Sequence, residues 1–205
     1  MTAAPTAVLG VGNILWADEG FGVRCVETLE RDFATDDRVT LADGGTRGLA
    51  LLEPLATARR LILFDAVAFG GVPGKLKVVR DREVPRFLDH KALSLHQTGL
   101  QEILALAELQ GCLPDELVCI GVEPTTLDDY GGGLSGAVAG RIEPAVDMAV
   151  AQLRQWGHGV ARRSRPLDEV TVNVAALQRE PYERGRPSAA TACRIGDARF
   201  MPRGG

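Results

Sequence analysis

The pattern of apolar runs predicts an α/β protein: an open, twisted, mostly parallel five-stranded sheet with helices on both faces and one antiparallel edge strand. Three observations carry this expectation. Short runs of strand length alternate with stretches in which apolar residues recur every three or four positions. Two runs, Leu61–Phe64 and Leu117–Val122, are apolar without alternation, as in strands covered on both faces. The first run, Ala7–Leu9, passes into a Gly10-Val11-Gly12-Asn13 turn and then Asp18-Glu19-Gly20-Phe21-Gly22, which reads as strand, glycine loop and helix start.

Taken in order, Val23, Val26, Leu29 and Phe33 fall at helical spacing, leaving Glu27, Glu30 and Arg31 for a wet face. Asp18 and Glu19 would also suit the positive end of that helix. Val39–Ala42 predicts a second strand closed by the turn Asp43-Gly44-Gly45-Thr46, and Leu49, Leu51, Leu52 and Leu55 predict another helix. Strand, helix, strand, helix implies parallel right-handed crossovers. The buried strand Leu61–Phe64 ends on Asp65, and only Ala66–Pro73 separate it from the alternating run Gly74–Arg80. A parallel crossover needs about a dozen residues or more, so this fourth strand is expected to be antiparallel, with its lysines at an edge.

A connection from Asp81 to Leu95 leads through Ser94-Leu95-His96-Gln97-Thr98-Gly99 into a helix marked by Leu100, Ile103, Leu104 and Ala107. Leu117–Val122 is the fifth strand, closed by Glu123-Pro124, and the loop Thr125–Ser135 reads as a surface connection. Val138, Ile142, Val146, Ala149, Leu153 and Trp156 then trace one long helix, in which Pro144 marks a kink or a first turn. From Gly157 the periodicity fails while arginine and proline recur. The chain therefore divides into a body, 1–156, and an Arg/Pro-rich, weakly structured tail, 157–205, in which Val170–Val174 is a candidate stray strand.

Composition narrows the class. The 205 residues are 45% hydrophobic and 24% charged, ordinary for a globular protein. The net charge of -4 conceals 14 basic and 22 acidic residues in 1–156 against 9 arginines and 5 acids in 157–205. An acidic body is a poor partner for nucleic acid. No apolar run approaches the ~18 residues of a membrane span, and the N-terminus lacks a basic leader. Membrane insertion is therefore not expected. Cys25, Cys112, Cys119 and Cys193 show neither metal spacing nor a disulfide framework, which predicts a reducing, cytoplasmic setting. No association helix or heptad run is visible, so a monomer is expected.

Three polar residues stand at comparable places: Glu19 after strand one, Asp65 ending strand three, and His96 ahead of a helix. Ligand sites of open α/β sheets lie outside the carboxyl ends of the strands. Two carboxylates and an imidazole can hold a divalent metal of the zinc or nickel type with positions left for water or substrate. Each also has a structural explanation: a helix-terminal acid, a loop cap and an ordinary histidine. His90 and His158 follow no strand-like run. A dinucleotide site is disfavoured because the fingerprint's third small residue is replaced by Leu15.

Together, GVGNILWADEGFGVR, DGGT at Asp43–Thr46, LILFDAV around Asp65 and SLHQTG around His96 resemble the maturation endopeptidases of nickel-iron hydrogenases, and among them those serving membrane-associated uptake hydrogenases. The similarity runs through roughly the first 156 residues and assigns nothing to 157–205. It implies a protease that removes a short C-terminal extension from the hydrogenase large subunit after nickel insertion. It further implies that Glu19, Asp65 and His96 bind metal, and that Gly44, Gly45 and Thr46 border the substrate tail. The metal would be the nickel of the loaded precursor, with no tightly bound cofactor. Within that expectation Asp65, on a rigid central strand end, is the general base of an aspartyl-type or metal-assisted hydrolysis, Glu19 its partner carboxylate, and Asp18 a reserve acid. The alternatives are an autonomous metallohydrolase with a resident metal and a non-catalytic nickel-dependent assembly factor.

Overall fold

A computed structural model describes residues 3–45, 55, 57–89, 98–127 and 129–185. Five strands form the central sheet: β1 (Thr6–Val11), β3 (Val39–Gly45), β4 (Arg60–Ala66), β5 (Leu76–Arg80) and β6 (Glu116–Val122), in the order β3-β1-β4-β6-β5. All neighbours pair in parallel except β5, which runs antiparallel to β6 at the edge. The fold class expected from the apolar pattern is the one observed. The short connection into β5 turns through Gly70 and Gly74, both at positive φ, and Lys77 of β5 lays its ammonium 5.1 Å from the Phe87 ring.

Among the described residues the helices include α1 (Phe21–Asp32), α2 (Glu83–Asp89), α3 (Thr98–Leu109), α4 (Gly136–Ala139), α5 (Ile142–Gln155) and α6 (Arg179–Gly185). Strand alternation sends Ile62, Phe64 and Ala66 into one core with α1 and α5, and Leu61, Leu63 and Val67 into another with α2 and α3. On α5 the apolar stripe Ile142, Val146, Ala149 and Leu153 is buried against α1's Cys25, Val26 and Leu29. Each large side chain so buried contributes roughly 1.5–3 kcal/mol. Cys25 and Cys119 fall in separate cores, and burial pushes the Cys25 thiol well above its ordinary range despite the opposing charge of Arg179.

Several boundaries differ from the sequence expectation. Phe33 leaves α1 and opens a short strand, β2 (Phe33–Thr35). The second sheet strand runs on through Asp43 and Gly44 to Gly45. The helix α2 went unforeseen because its seven residues are too few for periodicity and include Pro85. The expected single helix from Val138 to Trp156 is two, broken at Gly140-Arg141. Pro144 takes the third position of α5, where a backbone N–H has no intrahelical partner to lose. Of the helix expected from Leu49, only Leu55 and residues 57 and 58 lie within the described residues.

The largest correction concerns the chain beyond Trp156. Residues 157–185 are not loosely attached. The strand β7 (Val160–Arg162) pairs antiparallel with β2. Arg163 and Leu167 N–H groups then donate to the Asp32 and Arg31 carbonyls, which the end of α1 leaves without helical partners. Next, the Glu30 carboxylate accepts from the Thr171 and Val172 N–H groups, and Glu27 Oε1 accepts from Arg179 N–H at 2.6 Å. Glu27 is therefore buried, not on a wet face. No strand forms at Val170–Val174; that segment lies along α1, with Val170 buried.

Candidate active site

The chain leaves β1 through α1 to reach β3 on one side, and returns past β1 to β4 on the other. The carboxyl ends of β1 and β4 therefore flank the topological switch point, where open α/β sheets bind ligands. Glycines make this corner. A Cβ at Gly22 would collide with the carbonyl oxygens of Phe64 and Val11, and one at Gly10 with that of Gly22. The first turn of α1 thus lies directly on the ends of both strands. Gly12, at φ 120°, packs its Cα against the Glu19 carbonyl. These glycines serve backbone contact within the chain and not a phosphate.

Glu19 sits in a 3-10 turn, Ala17–Gly20, that precedes α1. It is only 3% exposed, and its Oε2 atom is buried with no hydrogen-bond partner among the described residues. Asp65, 1% exposed, is the penultimate residue of β4, one step beyond the Phe64 that pairs with Gly10. Its position gives it the parity of Leu61 and Leu63, so it belongs to the face that carries α2 and α3. His96 and Thr46 lie outside the described residues. Among those described, no three His, Cys, Asp or Glu side chains are grouped so as to hold a metal ion.

Asp18 is not a reserve acid. Its carboxylate accepts from Thr125 N–H (2.8 Å), Thr126 N–H (3.1 Å), Ser135 N–H (2.7 Å) and the Ser135 hydroxyl (2.9 Å). A carboxylate so occupied is a structural anchor, and it ties the loop after β6 to the loop after β1. Gly131 N–H to Leu15 O, at 2.7 Å, and an edge-on contact of Trp16 with Tyr130 extend that seam. The loop after β6, expected as a plain connection, is thus fastened through Thr125, Thr126, Tyr130, Gly131 and Ser135 to the loop that carries Glu19.

Gly44 and Gly45 end β3 in a bulge: Gly10 pairs with Asp43 and Val11 with Gly45, so Gly44 is the extra residue. Beside it opens a cleft of about 360 Å³, lined by Gly12, Asn13 and Leu15 of the first loop, Asp43 and Gly45, and Leu177 from the C-terminal segment.

At the opposite, amino end of the strands His158 is buried, with Nε2 2.8 Å from Thr6 Oγ1 and Nδ1 3.1 Å from both Asp36 carboxylate oxygens. This resembles a hydrolytic triad in connectivity only. Thr6 is buried and its hydroxyl donates to Ala4 O, so the group fastens β1, the β2–β3 turn and the segment after α5. The Asp36 carboxyl would be raised by burial, but N–H donors of Gly159 and Arg38 together with His158 outweigh that and hold it below its ordinary value.

The family model described as hydrogenase maturation protease matches residues 23–152. The chain belongs to the hydrogenase maturation protease family. Over 195 residues the protease is 51% identical to the hydrogenase expression/formation protein HupD of Rhodobacter capsulatus, covering 95% of this chain and 92% of that one. It is 49% identical over 197 residues to the corresponding HoxM of Cupriavidus necator, covering 95% and 96%. These matches reach well past Trp156, beyond the extent of the sequence resemblance. The solved hydrogenase-maturating endopeptidase HybD of Escherichia coli superposes on the protease with a TM-score of 0.73 at 41% identity, over 98% of its own length but 78% of this chain. A peptidase, a hydrolase, is the enzyme class that this membership establishes. Among the described residues no helix of the protease is long and apolar enough to cross a membrane.

Proposed function

We propose that the protein cleaves the C-terminal extension from a nickel-loaded hydrogenase large-subunit precursor, recognising the nickel carried by that substrate through Glu19, Asp65 and His96. The observation that supports this reading is the pair of buried carboxylates at the switch point, one of which, Glu19, has an oxygen with no donor among the described residues. Burying a carboxylate oxygen without a partner costs free energy, and a cation that arrives with the substrate would offset that cost. The metal is substrate, and the chain keeps no cofactor of its own.

Docking of the precursor's nickel onto these side chains would set the scissile peptide in the crevice, so positioning is the main contribution. Asp65, fixed by a strand paired on both sides, takes a proton from the attacking water as its oxygen bonds to the carbonyl carbon. The same proton then passes to the leaving amine as the C–N bond breaks. Glu19 holds the substrate's metal side. Mass analysis of the precursor's C-terminus, with and without nickel and with and without this protein, tests the reading. Shortening only of nickel-loaded precursor is expected, and its loss in Asp65→Ala; efficient cleavage of nickel-free precursor would overturn it. Binding without shortening would indicate an assembly factor, and cleavage of simple peptides with stoichiometric metal in the purified protein an autonomous metallohydrolase.

A further inference from the structure

The segment that ends at Leu177 lies beyond residue 152, where the family match stops, and the Escherichia coli HybD structure is covered almost completely by 78% of this chain. The placement of that segment suggests what it does. Leu177 and Asn173 line the cleft beside Gly12, and Gly12 is also the residue that seats the Glu19 backbone. The cleft thus lies at the carboxyl end of β1, the end from which the chain runs on to Glu19. Its other wall is the bulged end of β3, an edge strand that among the described strands pairs only with β1. An extended peptide can add to such an edge through main-chain hydrogen bonds and place alternate side chains in a neighbouring pocket.

The apolar groups of the segment face outward although its backbone is held firmly. Leu177 is 37% and Val174 63% exposed. Yet the Leu177 carbonyl accepts at 2.6 Å from the buried Arg24 guanidinium, itself paired at 2.7 Å with buried Glu27. An exposed leucine on an anchored backbone is preorganised to meet an apolar side chain. The cleft volume lies within the ~300–1,000 Å³ usual for ligand pockets.

We propose that Asn173–Leu177 is a specificity wall of the substrate groove, with Leu177 contacting an apolar residue of the precursor's C-terminal extension as that extension lies extended along the end of β3. This rests on the processing reaction proposed above. The test uses the full-length protein and nickel-loaded precursor, with KM and kcat measured separately for wild type, Leu177→Asp and Leu177→Met. Leu177→Asp should raise KM about tenfold or more, with kcat within about twofold, and Leu177→Met should restore KM, as loss of one buried apolar contact requires. An unchanged KM, or an equal fall of kcat alone, overturns the wall. Should Leu177→Asp fold poorly, a synthetic peptide spanning the extension, titrated into the wild-type protein, should shift the amide resonances of residues 173–177; unmoved resonances overturn the proposal. Wild-type protein that processes no precursor defeats the reaction itself, a result distinct from either.

Discussion

Arg24 donates to the carbonyl of Leu177, 153 positions away, at 2.6 Å, and the same nitrogen lies 2.7 Å from Glu27 Oε2. One buried guanidinium thus ends α1's first turn and fixes the C-terminal segment. Removing one member of a buried pair leaves the other uncompensated, so Arg24→Met should cost about 3–5 kcal/mol. Glu27→Leu should cost a similar amount, and the double variant less than the sum. Urea unfolding of the four proteins in a double-mutant cycle checks this.

Asp18 accepts from three backbone N–H groups and one hydroxyl. Asp18→Asn keeps the shape but turns an amide NH₂ toward N–H donors that cannot reverse. A loss of about 2–4 kcal/mol is expected from charge-assisted bonds of this kind. Amide hydrogen exchange should show Thr125, Thr126 and Ser135 losing protection first.

Two glycines at positive φ separate close approach from conformation alone. A Cβ at Gly12 collides with the Glu19 carbonyl, whereas at Gly131, at φ 73°, nothing lies within 4 Å. Gly131→Ala should cost about 1 kcal/mol. Gly12→Ala should cost more than about 4 kcal/mol or displace the Glu19 turn. Thermal unfolding midpoints of the two variants give the comparison.

The lowered Asp36 carboxyl makes a prediction about acid. A carboxylate with a folded-state pKa below its unfolded value of about 3.9 binds fewer protons when folded, so its stabilisation is present above that pH and fades as pH falls through the folded pKa. Wild type should therefore exceed Asp36→Asn in stability at pH 7 and 5, by no more than about 1 kcal/mol for a partly exposed pair. The difference should shrink as pH falls below the unfolded value of about 3.9, as urea midpoints at each pH would show.

Much of the sheet was legible because its signals are local. Leu61–Phe64 and Leu117–Val122 announce buried parallel strands, and nine residues between β4 and β5 forbid a parallel crossover. Glu19 and Asp65 were singled out on local grounds: Asp65 closes the apolar run of β4, and Glu19 lies in the turn between β1 and α1. Asp18 was misread because a lone acid before a helix looks the same whether it faces a dipole, a ligand or three backbone amides. Only the arrival of Thr125, Thr126 and Ser135, more than a hundred positions later, decides among them.

The same ambiguity governs the C-terminal segment. Arg24, Glu27 and Glu30 recur every three residues on α1, and a polar stripe at that spacing is written identically for water and for a strap of backbone. By itself the sequence determined the strands of the central sheet and its antiparallel edge, because periodicity and chain length are properties of short stretches. The tertiary structure alone decided that α1's polar stripe is covered, that Asp18 is an anchor, and that Leu177 stands beside Gly12. Those relationships join residues that nothing local connects, and they form only when unpaired N–H and C=O groups on each side leave water for each other.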